Sequence, residues 1–212
     1  MSKIKRLIVI VISLTLLSTS VFAGNAAMRF DKAVSPKGGE IITLPVTLFQ
    51  QETGYYCGPA SVQMVVNYLS DYVEQDDLAS DLGCFGGGGT NVDKVLPCLN
   101  KYLGSGYYEE CRTYGGDNIA GLIPLSINNG NPVICNVETR YLPYYNGHSS
   151  RHYVVVYGHK WAQGGSGSGG IQEVYINDPN NQSAYYGSFD CTMSEMQDAL
   201  DGNAGYFWIS RK

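Results

Sequence analysis

The stretch Cys57-Gly-Pro-Ala-Ser-Val-Gln-Met-Val-Val-Asn-Tyr-Leu69 constrains this chain most, because it places a reactive side chain at the head of a buried helix. Val62, Val65, Val66 and Leu69 recur at i, i+3, i+4 and i+7, the signature of one apolar helix face. Pro59 fits a first turn, where the N–H it lacks would have no intrahelical partner, and Gly58 permits close approach there. Cys57 therefore sits among unpaired backbone N–H groups at the positive end of the helix dipole. That setting favours thiolate over thiol. The chain enters through the loop Gln51-Glu-Thr-Gly-Tyr-Tyr56. Gln51 can fold its side-chain amide back beside the sulfur. With the backbone N–H of Cys57 it would supply two donors for one developing oxyanion.

The rest of the chain places helices first and strands later. Ile41–Leu48 has strand character, with Pro45 marking an edge or a break. After the cysteine helix, Gln75–Leu82 predicts a short helix with acidic residues in its opening turn. Thr90-Asn91 opens a third helix that runs to about Leu103. The four glycines at 86–89 precede it without the Gly-Lys-Ser/Thr of a phosphate loop. Tyr107–Tyr114 alternates loosely as a short strand, and Ile119–Asn128 is a helix stopped by Asn129-Gly130. Pro132–Val137, Ser150–Gly158, Gln172–Asn177 and Gly205–Ser210 read as strands, with a helix over Met193–Leu200. This order predicts an α+β domain with N-terminal helices packed on a largely antiparallel sheet.

Two of those strands carry the remaining candidates. If they form a hairpin about the Gly/Ser-rich connector Ala162–Gly170, His152 and Asp178 lie side by side at its open end. A carboxylate there would hold the imidazole in one tautomer and stabilise its protonated form, and His152 would move the proton of the Cys57 thiol. His159 is seven residues along the strand, roughly 20 Å away at about 3.3 Å per residue, and on the opposite face by parity. His148 belongs to a tyrosine-rich loop with Tyr144 and Tyr145, which are candidates for a substrate groove beside Tyr55 and Tyr56. The cysteines and histidines lack the close paired spacing of a metal site, and no cofactor is expected.

The set Gln51, Cys57-Gly-Pro-Ala60, His152-Tyr-Val-Val155 and Asp178-Pro179 resembles the bacteriocin-processing cysteine peptidases, cysteine peptidase family 39. The resemblance runs from about Pro45 to the C-terminus. It implies a papain-like fold and an active site of Cys57, His152, Asp178 and Gln51. Such domains are best known from peptide-exporting ABC transporters, where they cut leader peptides after a Gly-Gly pair, and free-standing secreted relatives exist. The Gly/Ser connector is longer than is usual in the family. This sequence shows no exporter helices or nucleotide-binding domain, and an N-terminal signal peptide would remove it from the cytosolic side where leaders are trimmed, so the double-glycine substrate is not expected to carry over.

The flanking sequence fixes the expected setting. Lys3, Lys5 and Arg6 precede an apolar run over Leu7–Leu17, and Val21-x-Ala23 suits signal-peptidase cleavage. Residues 1–23 are therefore expected to be a signal peptide, 24–40 a flexible arm and 41–212 the peptidase domain of a secreted or periplasmic protein. Removing the segment takes three of the 14 basic residues and none of the 19 acidic ones, leaving the chain more acidic than its formal −5. That balance disfavours nucleic acid and anionic membrane as partners, and no later stretch is long and apolar enough to insert stably. A peptide or protein substrate is the expected partner. An oxidising location makes disulfides among Cys84, Cys98, Cys111 and Cys191 expected, with Cys57 and Cys135 left as thiols. Two other readings use the same scaffold: a cell-wall amidase or acyl transferase, and a non-catalytic binding protein with Cys57 in a disulfide.

Overall fold

A computed structural model of the chain describes residues 38–163 and 170–212, all within the unit Ala33–Lys212. The expected signal peptide, most of the expected arm and the centre of the Gly/Ser connector lie outside the described residues. The architecture is α+β, as the order of elements indicates. Helices α1 (Cys57–Leu69), α2 (Gln75–Leu82) and α3 (Val92–Leu103) come first, and α4 (Ile119–Asn128) and α5 (Met193–Asp201) are set among the strands. The strands are β1 (Ile41–Thr43), β2 (Glu109–Arg112), β3 (Val133–Glu138), β4 (Arg151–Trp161), β5 (Ile171–Asp178), β6 (Gly187–Thr192) and β7 (Tyr206–Ile209). They form one sheet in the order β2-β7-β3-β4-β5-β6, with β1 also paired to β4, and every pairing among the described residues is antiparallel.

Alternation along the strands divides the core into two layers. Ile134, Tyr153, Val155 and Trp208 pack with Val62, Val65 and Val66 of α1, Leu78 and Leu82 of α2, and Leu99 of α3. Cys135, Val154, Val156, Ile176 and Phe207 face the other way, against Ile123 and Ile127 of α4 and Met196 and Leu200 of α5. The helix ends follow their capping residues. Asn91 accepts from the Asp93 N–H at the start of α3, and Asn118 from the Ala120 N–H at the start of α4. Thr192 and Glu195 make a reciprocal capping box on α5.

Three expectations are corrected. The strand expected over Ile41–Leu48 stops at Thr43, because Pro45 has no N–H to give a ladder; Leu44 still donates to Tyr157 O at 2.8 Å. The edge strand β6 was not expected, since only Cys191 of its six residues is buried and it lacks an apolar run. The cysteines form no disulfide: all six are free thiols. Cys98 belongs to the α1–α3 layer and Cys111 and Cys191 to the opposite one, while Cys84 lies outside both, its Sγ 3.2 Å from the carbonyl oxygens of Tyr55 and Gly88, which share its single S–H. With Cys98 separated from Cys111 and Cys191 by the sheet, the bridges that would join them are excluded on geometry.

Candidate active site

Helix α1 starts at Cys57, as its apolar spacing indicates. No side chain caps its first turn and no acidic residue lies in it, so its N–H groups remain free for an anion. Gly58 is needed for another reason as well. A Cβ there would lie 1.9 Å from Thr90 Oγ1, so Thr90 closes over this turn only because position 58 has no side chain. Cys57 is half-buried. Burial pushes its thiol upward, but the hydrogen bond and charge of His152, with the N–H groups of Tyr153 and Gly58, outweigh it and hold the thiol below its ordinary value.

The hairpin of β4 and β5 delivers the histidine and the aspartate. Val155 pairs with Asn177, so Asp178 stands opposite Val154 and reaches His152 diagonally along one face. His152 Nε2 lies 2.7 Å from Asp178 Oδ1, and His152 is only 5% exposed. With Nε2 engaged by Asp178, Nδ1 is the ring nitrogen left to face the Cys57 sulfur. Burial works against the imidazolium, yet the charge and hydrogen bond of Asp178, then those of Cys57, raise the His152 pKa well above its usual value.

Asp178 is fully buried and accepts four hydrogen bonds. Besides His152, Oδ1 accepts from the Asn180 N–H at 2.9 Å; Oδ2 accepts from the hydroxyls of Tyr144 at 3.0 Å and Tyr145 at 2.9 Å. Burial and then the carboxylate charge push both phenols far up, so both keep their protons and donate. Asn180 Nδ2 in turn donates to the Tyr145 hydroxyl at 3.0 Å. Tyr144 and Tyr145 thus clamp the carboxylate, whereas the sequence suggested only a groove; Tyr145 does line the cleft too. The signal for Asn180 was its position directly after the Asp178-Pro179 step, two residues beyond the aspartate, where a backbone N–H folds back to the carboxylate.

Gln51 is buried and tied down at both ends: its N–H donates to Pro179 O and its Nε2 to Thr53 O, each at 2.7 Å. Its Oε1 is buried without a protein partner. Turning the amide over would press that oxygen against the Thr53 carbonyl, so the orientation is set and one Nε2 hydrogen remains uncommitted.

Two clefts meet at Cys57, Gly89 and Arg151. The smaller, about 220 Å³, holds Gln51, His152, Tyr145 and also His148, whose ring stacks on Tyr185 with centroids 5.9 Å apart. The larger, about 550 Å³, runs beneath Thr90 toward Tyr153 and Tyr206. His159 is remote from both, but not on the opposite face. A bulge after Val156 adds one residue to β4, so His159 pairs with Val174 and faces α4, where its Nε2 meets Asn128 Oδ1 at 2.9 Å. Burial lowers its pKa to about 4.

A half-buried thiol at a helix head, an imidazole and a buried carboxylate on a helix-flanked antiparallel sheet are the groups that thiol nucleophile chemistry requires. The chain belongs to the Peptidase_C39 like family, whose model matches residues 43–199, more than half of its length. A search of curated proteins gave no match. Among solved structures, it is similar to a double-glycine-motif protease from an AMS/PCAT transporter in complex with the leader peptide, at 22% identity over 83% of this chain and 94% of that one, with a TM-score of 0.44. It is also similar to the peptidase domain of Streptococcus ComA, a bi-functional ABC transporter involved in a quorum-sensing pathway. That likeness has 19% identity over 79% of this chain and 99% of that one, with a TM-score of 0.49.

Proposed function

We propose that the protein is an exported, free-standing papain-like cysteine peptidase that hydrolyses peptide bonds through Cys57, His152, Asp178 and Gln51. The observation that carries the reading is the meeting of Cys57 and His152 in one cleft, with His152 Nε2 held 2.7 Å from the buried Asp178; the influence of His152 on the thiol and of Asp178 on the imidazole agrees with it. Family membership agrees with it. Export rests on Lys3, Lys5, Arg6 and the apolar run that follows them.

In the mechanism, the Cys57 thiolate attacks the carbonyl carbon of a peptide bond, and the carbonyl pair moves onto oxygen. The Cys57 N–H and the uncommitted Nε2 hydrogen of Gln51 stabilise that oxyanion. His152 gives its Nδ1 proton to the departing amine as the C–N bond breaks, leaving a thioester. It then takes a proton from water, whose oxygen attacks the thioester; acid product leaves and the thiolate–imidazolium pair is restored. Asp178 keeps the ring turned with Nδ1 toward sulfur throughout.

The test is the pH dependence of iodoacetamide labelling at Cys57, read by peptide mapping, in wild type and His152→Ala. Rapid labelling well below the ordinary thiol value of about 8.5, lost in the variant, is expected. Labelling of both proteins along an ordinary thiol curve would remove the catalytic reading.

A further inference from the structure

The larger cleft opens beside Cys57 on the face of the sheet that carries α1–α3, and its floor holds two asparagines. Asn136 interrupts the apolar run of β3 on the same face as the fully buried Ile134. Asn203 comes from the turn between α5 and β7, followed by Ala204 in the left-handed region at φ 63°. They are 9% and 8% exposed. Asn203 Nδ2 donates to Asn136 Oδ1 at 2.7 Å and to Val137 O at 3.1 Å. Both Asn203 N–H bonds are thereby used, and reversing its amide would set oxygen against the Val137 carbonyl. The Nδ2 of Asn136 and the Oδ1 of Asn203 are left, and neither bonds to the protein among the described residues. The two hydrogen-bonded side chains that line this cleft therefore offer it one donor and one acceptor.

That pair is the complement of a single residue in an extended chain, whose N–H and C=O point the same way, as they do toward a neighbouring strand. We propose that Asn136 and Asn203 form a main-chain-reading subsite: Asn136 Nδ2 donates to a substrate carbonyl, and Asn203 Oδ1 accepts the N–H of the same residue. The cleft is continuous with Cys57, so a polypeptide bound for cleavage crosses this floor on one side of the scissile bond. Specificity is then for an extended chain, largely independent of the side chain at that residue. The proposal rests on the cysteine-peptidase reading.

The probe is acetyl-Ala-Ala-Ala chloromethyl ketone, which alkylates Cys57, with iodoacetamide as the small reagent that does not need the cleft. A matched set replaces one backbone N–H at a time by an ester oxygen. In wild type, one position of the set is expected to inactivate about tenfold more slowly than the all-amide probe. Asn203→Leu slows the all-amide probe by a similar factor, erases the amide–ester difference at that position, and leaves iodoacetamide labelling as fast as before. Asn136→Leu slows the amide probe and every ester alike. A merely structural asparagine would not make the rate depend on the atom replaced in the probe. Equal rates across the ester set, with rapid iodoacetamide labelling, overturn the proposal alone. A flat ester set with faster reaction of an acetyl-Ala-Gln-Ala probe overturns it in favour of a side-chain amide ligand. Slow iodoacetamide labelling overturns the peptidase reading and this proposal with it.

Discussion

Replacing Asp178 by asparagine isolates the charge of the carboxylate from its geometry. The amide oxygen of the new side chain can keep the Oδ1 place, accepting from His152 Nε2 and the Asn180 N–H. Its NH2 group then takes the Oδ2 place, facing two tyrosine hydroxyls that can rotate to accept. The bonds to His152 and the Asn180 N–H survive while the negative charge is lost, and the two phenol protons must turn away from residue 178. For His152, that charge is the foremost influence holding the imidazolium against burial. Exchanging a charge-assisted bond for a neutral one forfeits about 1–2 kcal/mol, which lowers the imidazolium pKa by roughly one unit. The direction is downward because the group that raises this pKa has been removed. The reactive window, bounded below by thiol ionisation and above by loss of the imidazolium proton, then narrows from its alkaline side. The assay is the His152 ring Cε1–H resonance followed against pH by NMR in both proteins, with thermal unfolding as the check on folding. A folded Asp178→Asn protein whose His152 titrates where the wild type does would refute the assignment of Asp178 as the group that charges the ring.

Gln51→Ala is expected to lower kcat by about 10²–10³, in keeping with loss of one oxyanion donor, while iodoacetamide labelling of Cys57 keeps its pH profile. An unchanged kcat on a cleaved peptide would show that Gln51 does not face the oxyanion. Tyr145→Phe leaves a buried carboxylate oxygen one donor short and should cost about 1–3 kcal/mol in chemical unfolding; a loss below that range would mean Tyr144 and Asn180 suffice. Gly58→Ala meets Thr90 at 1.9 Å and is expected to destabilise by about 1–3 kcal/mol, with recovery in the Gly58→Ala/Thr90→Gly double variant. His159, lowered to about 4 by burial, binds a proton in the unfolded chain first. Its contribution is complete above about pH 6.5 and is lost as pH falls toward 4, a loss of about 3 kcal/mol that His159→Gln should abolish in pH-dependent denaturation.

Much of the fold was legible because its segments are locally self-consistent. The helices over Gln75–Leu82 and Ile119–Asn128 begin and end where acidic first-turn residues, a capping asparagine and a following glycine or asparagine place them. Strands β3 and β4 stood out as apolar runs because both of their faces are covered by helices. What escaped notice was set by partners distant in sequence. The edge strand β6 buries one face of a single residue, so its pattern resembles a loop. The bulge at Tyr157 is a property of how β4 pairs with β5, and it reversed the face assigned to His159. The disulfide expectation came from the compartment alone, which carries no information on which face of a sheet each cysteine occupies. Gln51, Cys57, His152 and Asp178 could be singled out by residue type and spacing. The tyrosine clamp on Asp178 could not, since nothing local to Tyr144 and Tyr145 says that the end of β5 lies above them.

The placement of the candidate groups has one mechanical origin, the end of β5. Asn177 turns its amide to Val46 O at 3.1 Å and accepts from Ser188 at 2.7 Å, which fastens the approach segment and the edge strand to the same residue. Asp178 follows and binds His152; Pro179 follows in turn and accepts the Gln51 N–H. Three successive residues thus anchor the segment entering the site, the imidazole and the glutamine. Cys57 is only six residues beyond Gln51, so the anchoring also limits where the head of α1 can lie. This arrangement predicts coupling between groups that do not touch. Asn177→Leu removes no group from the clefts, yet it frees Val46 and with it the backbone that positions Gln51. A drop in kcat in Asn177→Leu that is absent when the same substitution is made in a Gln51→Ala background would show that the asparagine acts through Gln51. Additive losses in the two backgrounds would mean that the end of β5 carries the site only as a general support.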